Sequence, residues 1–384
     1  MPFTELQLQL DEQAAKGLLR QRRTVTSAQG IRLTVEGKQY VSFCSNDYLG
    51  LANHPVIIAA LQAGAELYGA GAGAAHLVSG HSLAHEALEN ELATFVDKPS
   101  ALLFSTGYMA NLGAVQALTD RGDTVFADKL NHASLNDAMQ LSHANVKRYR
   151  HNDIAQLDAM LGETSKGRKL VCTDAVFSMD GDRARLPELL DLCEKHDAWL
   201  LLDDAHGFGV SGKNGRGSLS HSGIESPRII YMATLGKAAG VSGAFVAAEK
   251  IVIDTLVNNA RSYIYTTASP PALSVALSES LKLIAEGDEW RAHLQGLITK
   301  LREGLEGLRW ATMESGTAIQ PLMIGGNQAA LDLSVALRER GIWVPAIRPP
   351  TVPVNTARLR ITLSAAHTAA DVTRLIEALH DLAR

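Results

Sequence analysis

The sequence predicts an α/β protein: a mainly parallel central sheet with helices on both faces, plus a smaller C-terminal α+β domain. Three observations predict it. From about Pro55 to Glu279, short apolar runs alternate with helical patterns. Those runs are apolar at successive positions, as strands must be when both faces of a parallel sheet are covered. After Glu286–Gly287–Asp288 the pattern becomes helix, strand, helix, strand, helix up to Arg384. A chain of 384 residues is long enough for more than one packed unit at about 150 residues per domain. The expected division is 1–50 as an N-terminal helix with short strands, 51–286 as the large domain and 287–384 as the small one.

Taken in order, the segment to about Arg23 reads as an amphipathic helix with a basic end. The runs IRLTV and QYVSFC follow as short strands, and SNDYLGLANHP is rich in turn residues. Ala101–Phe104, Thr124–Ala127, Lys169–Thr173, Ala198–Leu202 and Arg228–Ala233 are the candidate strands of the large domain. Between the third and fourth, PELLDLCEKH is a helix with Pro187 in its first turn, where a missing N–H removes no helical bond. The uncharged stretch Pro99–Thr119 is long enough to cross a bilayer. Its Ser105, Thr106, Asn111 and Gln116 would leave polar groups in lipid, so it reads as buried interior.

Hydrophobic residues make up 46% and charged residues 20%, which suits a globular chain and argues against disorder. Lys plus Arg total 36 against 41 Asp plus Glu, a net charge of −5 that disfavours nucleic acid or an anionic membrane as partner. Cys44, Cys172 and Cys193 form no CxxC and read as reduced thiols. The N-terminus carries acids and amides where a signal peptide needs an apolar run. The expectation is a cytoplasmic protein.

In such a sheet, ligands bind outside the carboxyl ends of the strands. Past the five runs lie Ser105–Tyr108, then Asp128 with Asn131–His132, then Asp174 with Phe177–Asp182, then Asp203–His206, then Thr234–Lys237. Polar and small residues thus converge at five strand ends read as adjacent. Lys237 is the only charge between Arg228 and Glu249. A surface lysine in a loop is the bland alternative. A low-dielectric pocket would instead lower its pKa and make the amine a nucleophile for a carbonyl compound, held as a Schiff base. If that carbonyl is pyridoxal phosphate (PLP), an acid for the ring nitrogen, a phosphate cradle and a stacking partner are also needed. Asp203 ends a buried strand and suits the first need, a turn aspartate being the alternative; His206 suits the ring oxygen. Gly107 and Tyr108 open a helix whose free N–H groups favour phosphate, with the Thr234 hydroxyl nearby. His132 suits the stacking partner, against the alternative of a core histidine.

Two rival patterns stand beside this one. Gly207–Gly212 matches GxGxxG, as in an NAD-dependent oxidoreductase, but DDAH precedes it and loop residues follow. Asp203, Asp204, His206 and His132 could ligate a metal in a hydrolase, which would leave Lys237 without a role. His76, His81 and His85 have loose metal-like spacing, but His81 and His85 read as flanking a helix start, so no metal site is expected.

The set SNDYLGL, GAGAGAAHLVSGHS, FSTGYMAN, DKLNHASL, VFSMDGD, LLLDDAHGFGV, TLGKAAGVSG, YTTASPP and RLRITLSAAHT resembles the α-oxoamine synthase family, in family order from about Arg20 to Arg384. These are fold-type I PLP-dependent transferases that join an amino acid to an acyl thioester with loss of carbon dioxide. The length and the run AIRPPTVPVNTARLRITLSAAHT look most like members that condense L-alanine with a pimeloyl thioester in biotin synthesis. Glycine- or serine-using members of the family remain the alternative.

The resemblance implies that Lys237 carries the cofactor and removes the α-proton, that His132 stacks on the ring and that Asp203 partners its nitrogen. It places Ser178 and His206 at the ring oxygen, and Gly107, Tyr108 and Thr234 at the phosphate. Thr266 and Thr267 would reach the phosphate of a partner subunit, which implies a homodimer with shared sites. Arg360 would pair with the amino-acid carboxylate, and Arg20, Asn46 and Thr351 would contact substrate. Ala72, Ala74 and Ala75, Phe208 and Ala238–Ala239 depart from the family's smaller residues at those positions.

Overall fold

The computed structural model describes residues 2–384. In chain order its strands are β1 (Arg32–Val35), β2 (Lys38–Ser42), β3 (Ser100–Phe104), β4 (Thr124–Asp128), β5 (Asn145–Tyr149), β6 (Lys169–Asp174) and β7 (Trp199–Asp203). They continue with β8 (Ile229–Thr234), β9 (Ala244–Ala248), β10 (Ala311–Thr312), β11 (Ile319–Gly325), β12 (Ile342–Trp343), β13 (Ala346–Ile347) and β14 (Ala357–Thr362). The chain forms two compact units. One contains Leu51–Ser178 and Arg183–Arg291; the other contains the residues up to Gly50, Met179–Asp182 and Ala292–Arg384.

The first unit is built on a seven-stranded sheet in the order β3-β9-β8-β7-β6-β4-β5. Every pairing from β8 to β5 is parallel, and β9 runs antiparallel to both β3 and β8. The five predicted runs are all strands of this sheet. One expectation needs correction: their ends are not all adjacent, because β9 separates β3 from the other four. Alternate strand residues such as Leu102, Val125, Cys172, Leu201 and Met232 pack with helices Gly107–Leu118, Ala133–Leu141 and Lys250–Asn259. The intervening Leu103, Phe126, Val171, Leu200 and Phe245 are equally buried. Both faces of the sheet are therefore covered, which is why the strands read as continuous apolar runs. The stretch from Pro99 forms β3 and helix Gly107–Leu118 inside this core. Among the described residues, no helix is long and apolar enough to cross a membrane.

Helix Pro55–Tyr68 packs on helix Pro271–Glu286 at close range. A Cβ at Gly64 would lie 2.9 Å from the Ala272 Cα, so only glycine lets these backbones meet without displacement. In the second unit, β1 and β2 form an antiparallel hairpin joined in parallel by β12, and β10-β11-β14-β13 form an antiparallel sheet. The N-terminal helix is shorter than its sequence suggests. It spans Thr4–Ala15, buries none of its residues and carries no basic residue in its last turn. Gly17, at φ 64°, follows it, and Arg20, Arg22 and Arg23 lie in the irregular chain beyond.

Candidate active site

Four strand ends of the large unit converge on one polar network. At the end of β3, Thr106 caps helix Gly107–Leu118, its hydroxyl accepting from the Met109 N–H at 3.2 Å. The helix geometry leaves the first-turn N–H groups of Gly107 and Tyr108 without intrahelical acceptors, and such groups attract anions. A Cβ on Gly107 would lie 3.8 Å from the Thr234 Cβ, so this helix start lies against the end of β8. Tyr108 is part exposed, and its hydroxyl donates to Asp137.

His132, past β4, is held by two elements. Its backbone N–H donates to Asp174 Oδ2 at 2.7 Å, and its Nδ1 lies 2.8 Å from the Ser134 hydroxyl. Ser134 Oγ accepts from Asn111 Nδ2 at 2.9 Å, and the same amide nitrogen donates to Asp203 Oδ2 at 2.7 Å. Since Ser134 Oγ already accepts there, its own proton points to His132 Nδ1. The Ser134 N–H also faces that nitrogen, at 3.3 Å. His132 Nδ1 is thus the acceptor, and the ring proton is on Nε2. Burial and the Lys237 charge lower the His132 pKa, with Asp203 opposing them, so the ring is neutral at neutral pH.

Asp203 and Asp204 end β7 with different duties. Asp203 Oδ1 accepts from the Ala205 N–H at 3.0 Å while Oδ2 takes the Asn111 amide. Asp204 accepts from the Ser218 N–H and hydroxyl, both at 2.6 Å, and from the Tyr231 hydroxyl at 2.8 Å. Asp204 is fully committed to tying this turn to β8. Burial pushes its pKa up to about 6.

Asp174 is raised well above the usual carboxylate range, first by burial and then by the Asp203 charge, with Lys237 pulling it down. Lys237 therefore acts electrostatically on both His132 and Asp174, and it is half-buried past the end of β8. His206 is buried and Ser178 half-buried, past β7 and β6. Thr266 and Thr267 follow helix Arg261–Ile264, with Thr267 exposed.

In the second unit, Arg360 on β14 is buried, its Nη1 donating to Thr362 Oγ1 at 2.9 Å and to Asn46 Oδ1 at 3.2 Å. It also hydrogen-bonds the buried Tyr48 hydroxyl, whose pKa is raised by burial. Arg20 Nη2 and Thr351 Oγ1 are 3.4 Å apart. Arg358, two residues along β14, is instead neutralised by an ion pair with Asp180.

The donor set fits PLP. Two carboxylates, Asp174 and Asp203, are buried together beside one lysine, and a protonated pyridine nitrogen against Asp203 adds the cation that such a pair needs. The helix start at Gly107 and the Thr234 hydroxyl suit a phosphate. The sequence reading passed over Asn111 and Ser134, which link Asp203 to His132. Asn111 is four residues into an otherwise small and apolar helix from Gly107, one turn away on the same side, and that spacing was the available signal. Phe208 is buried between Phe95 and Phe245, ring centroids 5.7 and 5.4 Å away, so the bulk at that position fills the core.

Residues 38–379 match the family model described as aminotransferase class I and II. The 8-amino-7-oxononanoate synthase of Nitrosospira multiformis is 62% identical over 96% of this chain and 93% of its own. That of Nitrosomonas europaea is 57% identical over the full length of both. Among solved structures, a serine palmitoyltransferase from S. paucimobilis with bound PLP–myriocin superposes with a TM-score of 0.93 at 30% identity, covering 99% of this chain and 96% of that one. The 8-amino-7-oxononanoate synthase from Francisella tularensis gives a TM-score of 0.78 at 32% identity, over 89% of this chain and 97% of its own. By sequence, fold and cofactor chemistry, this chain belongs to the aminotransferase class I and II family of PLP enzymes, on the branch of the 8-amino-7-oxononanoate synthases.

Proposed function

We propose that the protein condenses L-alanine with a pimeloyl thioester, of coenzyme A or of a carrier protein, to give 8-amino-7-oxononanoate, carbon dioxide and the free thiol. The step belongs to biotin synthesis in the cytoplasm, and the working form is a homodimer. The observation that carries this reading is the relay Asp203–Asn111–Ser134–His132 beside Lys237, within a chain so similar to these synthases.

Bound PLP supplies a carbonyl that captures an amine and a ring that draws electrons from the neighbouring carbon. Asp203, fixed by Asn111 and the Ala205 N–H, holds the proton on the pyridine nitrogen. The N–H groups of Gly107 and Tyr108 and the Thr234 hydroxyl take the phosphate, joined by Thr266 and Thr267 from the partner subunit. Ser178 and His206 hydrogen-bond the ring oxygen. Lys237 Nζ would hold the cofactor by its carbonyl, and its amine would take the α-proton of alanine. Arg360 takes the alanine carboxylate, with Asn46 fixing the guanidinium. His132, stacked on the ring, donates from Nε2 to the thioester carbonyl oxygen. Arg20 and Thr351 contact the acyl substrate. A carbon–carbon bond would form at the thioester carbonyl as the carbon–sulfur bond breaks, the leaving thiolate taking a proton from water; the carboxylate would leave as carbon dioxide, and Lys237 would return its proton to the α-carbon.

The test is the visible absorbance of the PLP-loaded protein titrated separately with L-alanine, glycine and L-serine, followed by pimeloyl-CoA and mass detection of product. Tightest response to L-alanine and a product of the expected mass are the expected results. Preference for glycine or serine would move the protein to another branch of the chemistry.

A further inference from the structure

A second cluster of titratable side chains lies in the large unit, apart from the residues given catalytic or binding roles above. His76–Gly80 form one wide helical turn, closed by the Gly80 N–H on the Ala75 carbonyl at 3.0 Å. An i→i+5 turn of this kind brings His81 back beside His76. Ser82 then caps helix Leu83–Phe95, and His85 lies in its first turn. The three rings make a tripod, with centroids 5.2 Å (His76–His81), 5.0 Å (His76–His85) and 5.6 Å (His81–His85) apart. One ligand nitrogen from each lies within 4.8 Å of the others, and Nδ1 of His76 is 3.0 Å from Nδ1 of His81. Three imidazoles around a tetrahedral ion with metal–nitrogen bonds of about 2.0–2.1 Å have nitrogens about 3.3 Å and ring centroids about 5 Å apart.

The outer nitrogens are arranged to match. His85 Nε2 donates to the Ser269 carbonyl at 2.9 Å, which leaves the lone pair on Nδ1. His81 Nε2 faces Glu89 Oε2 at 4.0 Å. A carbonyl or carboxylate on the far nitrogen is the arrangement that orients metal-bound histidines. His85 Nδ1 meanwhile accepts from the Ser82 N–H and lies 3.0 Å from its hydroxyl, contacts that an ion would displace. His81 is exposed, so the tripod is reachable from solvent.

We propose that His76, His81 and His85 form a site for a divalent transition-metal ion of the zinc class, with water as the fourth ligand on the His81 side. Neutral imidazoles select such ions over calcium or magnesium. The ion has a structural consequence. His85 already holds Ser269, and the Ala268 N–H donates to the Ala74 carbonyl at 3.0 Å. A bound ion would therefore clamp the glycine-rich turn to the stretch that carries Thr266 and Thr267.

The experiment uses the full-length, PLP-loaded protein stripped with a chelator and titrated with Co2+, then with Zn2+. One Co2+ per chain is expected, with the intense d–d bands of a tetrahedral nitrogen site, displaced by Zn2+, which also raises the melting temperature. His81→Asn, at the exposed ring, should weaken Co2+ binding about 100-fold or more, while His143→Asn, at an exposed position elsewhere, leaves it unchanged. No saturable binding at one equivalent, a weak octahedral spectrum, or an unaltered affinity in His81→Asn would each overturn the proposal.

Discussion

Replacing Asp203 with Asn separates the structural and the catalytic duties of one carboxylate. Its two oxygens accept from different donors, the Ala205 N–H at 3.0 Å and Asn111 Nδ2 at 2.7 Å. An amide at 203 has a single acceptor oxygen, so its NH2 must face one of those donors. A donor left buried without an acceptor costs about 1–3 kcal/mol. On the proposed function the larger effect is on catalysis, because the charge proposed to hold the proton on the ring nitrogen is gone. Removing one member of a buried charge pair costs about 3–5 kcal/mol. At 1.36 kcal/mol per tenfold, that lowers kcat/KM by about 10²–10⁴. Asp203→Asn combined with Asn111→Asp restores the bonds with a reversed sense: the new carboxylate accepts from Asn at 203 and from the Ser134 hydroxyl, and His132 then donates from Nδ1 to Ser134 Oγ. Urea unfolding should then return to within about 1 kcal/mol of wild type, while turnover of L-alanine with pimeloyl-CoA stays low. The reasoning is refuted if Asp203→Asn alone keeps a tenth of kcat/KM, or if the double variant recovers activity along with stability.

Lys237→Ala should abolish steady-state turnover, since the proposed attachment of the cofactor and removal of the α-proton both use its amine; substantial product by mass spectrometry would sink that role. Two helical glycines should respond to alanine with opposite signs. Gly296 has nothing within 4 Å of its would-be Cβ, so Gly296→Ala gains about 0.5–1 kcal/mol of helix propensity. Gly64→Ala meets the Ala272 Cα at 2.9 Å and the Val275 Cβ at 3.1 Å, and overpacking of about 1–3 kcal/mol outweighs the same gain; equal melting shifts would contradict this. The folded pKa of Asp204, about 6, lies above its unfolded value of 3.8, so its contribution to stability is present at low pH and lost as pH rises through about 6. Asp204→Asn removes that loss, and its stability relative to wild type should rise by about 2 kcal/mol between pH 4 and pH 7 in denaturant titrations. A difference independent of pH would show that burial does not tune this carboxyl.

What could be read in the sequence follows from how local each signal was. The five apolar runs were legible because strands covered on both faces need apolar residues at every position. β5 was not, since Asn145–Tyr149 (NVKRY) is a partly exposed edge strand with polar residues. Nor was β9, whose AFVAA follows a run of small residues and carries no turn signal that marks its direction. Missing β9 produced the mistaken row of five neighbouring strand ends. The leucines of the N-terminal segment suggested a covered helix face, but Leu6, Leu8 and Leu10 are exposed. Asp203, His132 and Lys237 drew notice because each stands at or just past the end of a strand. Asn111 and Ser134 acquire their part only when two helices place them between Asp203 and His132; the spacing of Asn111 from Gly107 marks its side of the helix but not its partners.

The antiparallel strand β9 also dictates when the sheet can be completed during synthesis. β3 has one strand partner, β9, and the paired residues run from Phe104 with Ala244 to Ser100 with Ala248. At about 5–20 residues per second, a ribosome takes roughly 7–30 s to make the chain between them. For that interval the apolar run Ala101–Phe104 has left the ribosome without a strand to pair with. Whatever shields it then, whether helix Leu83–Phe95 folding early against it or a chaperone, guards the step at which this enzyme's nascent chain is most open to aggregation.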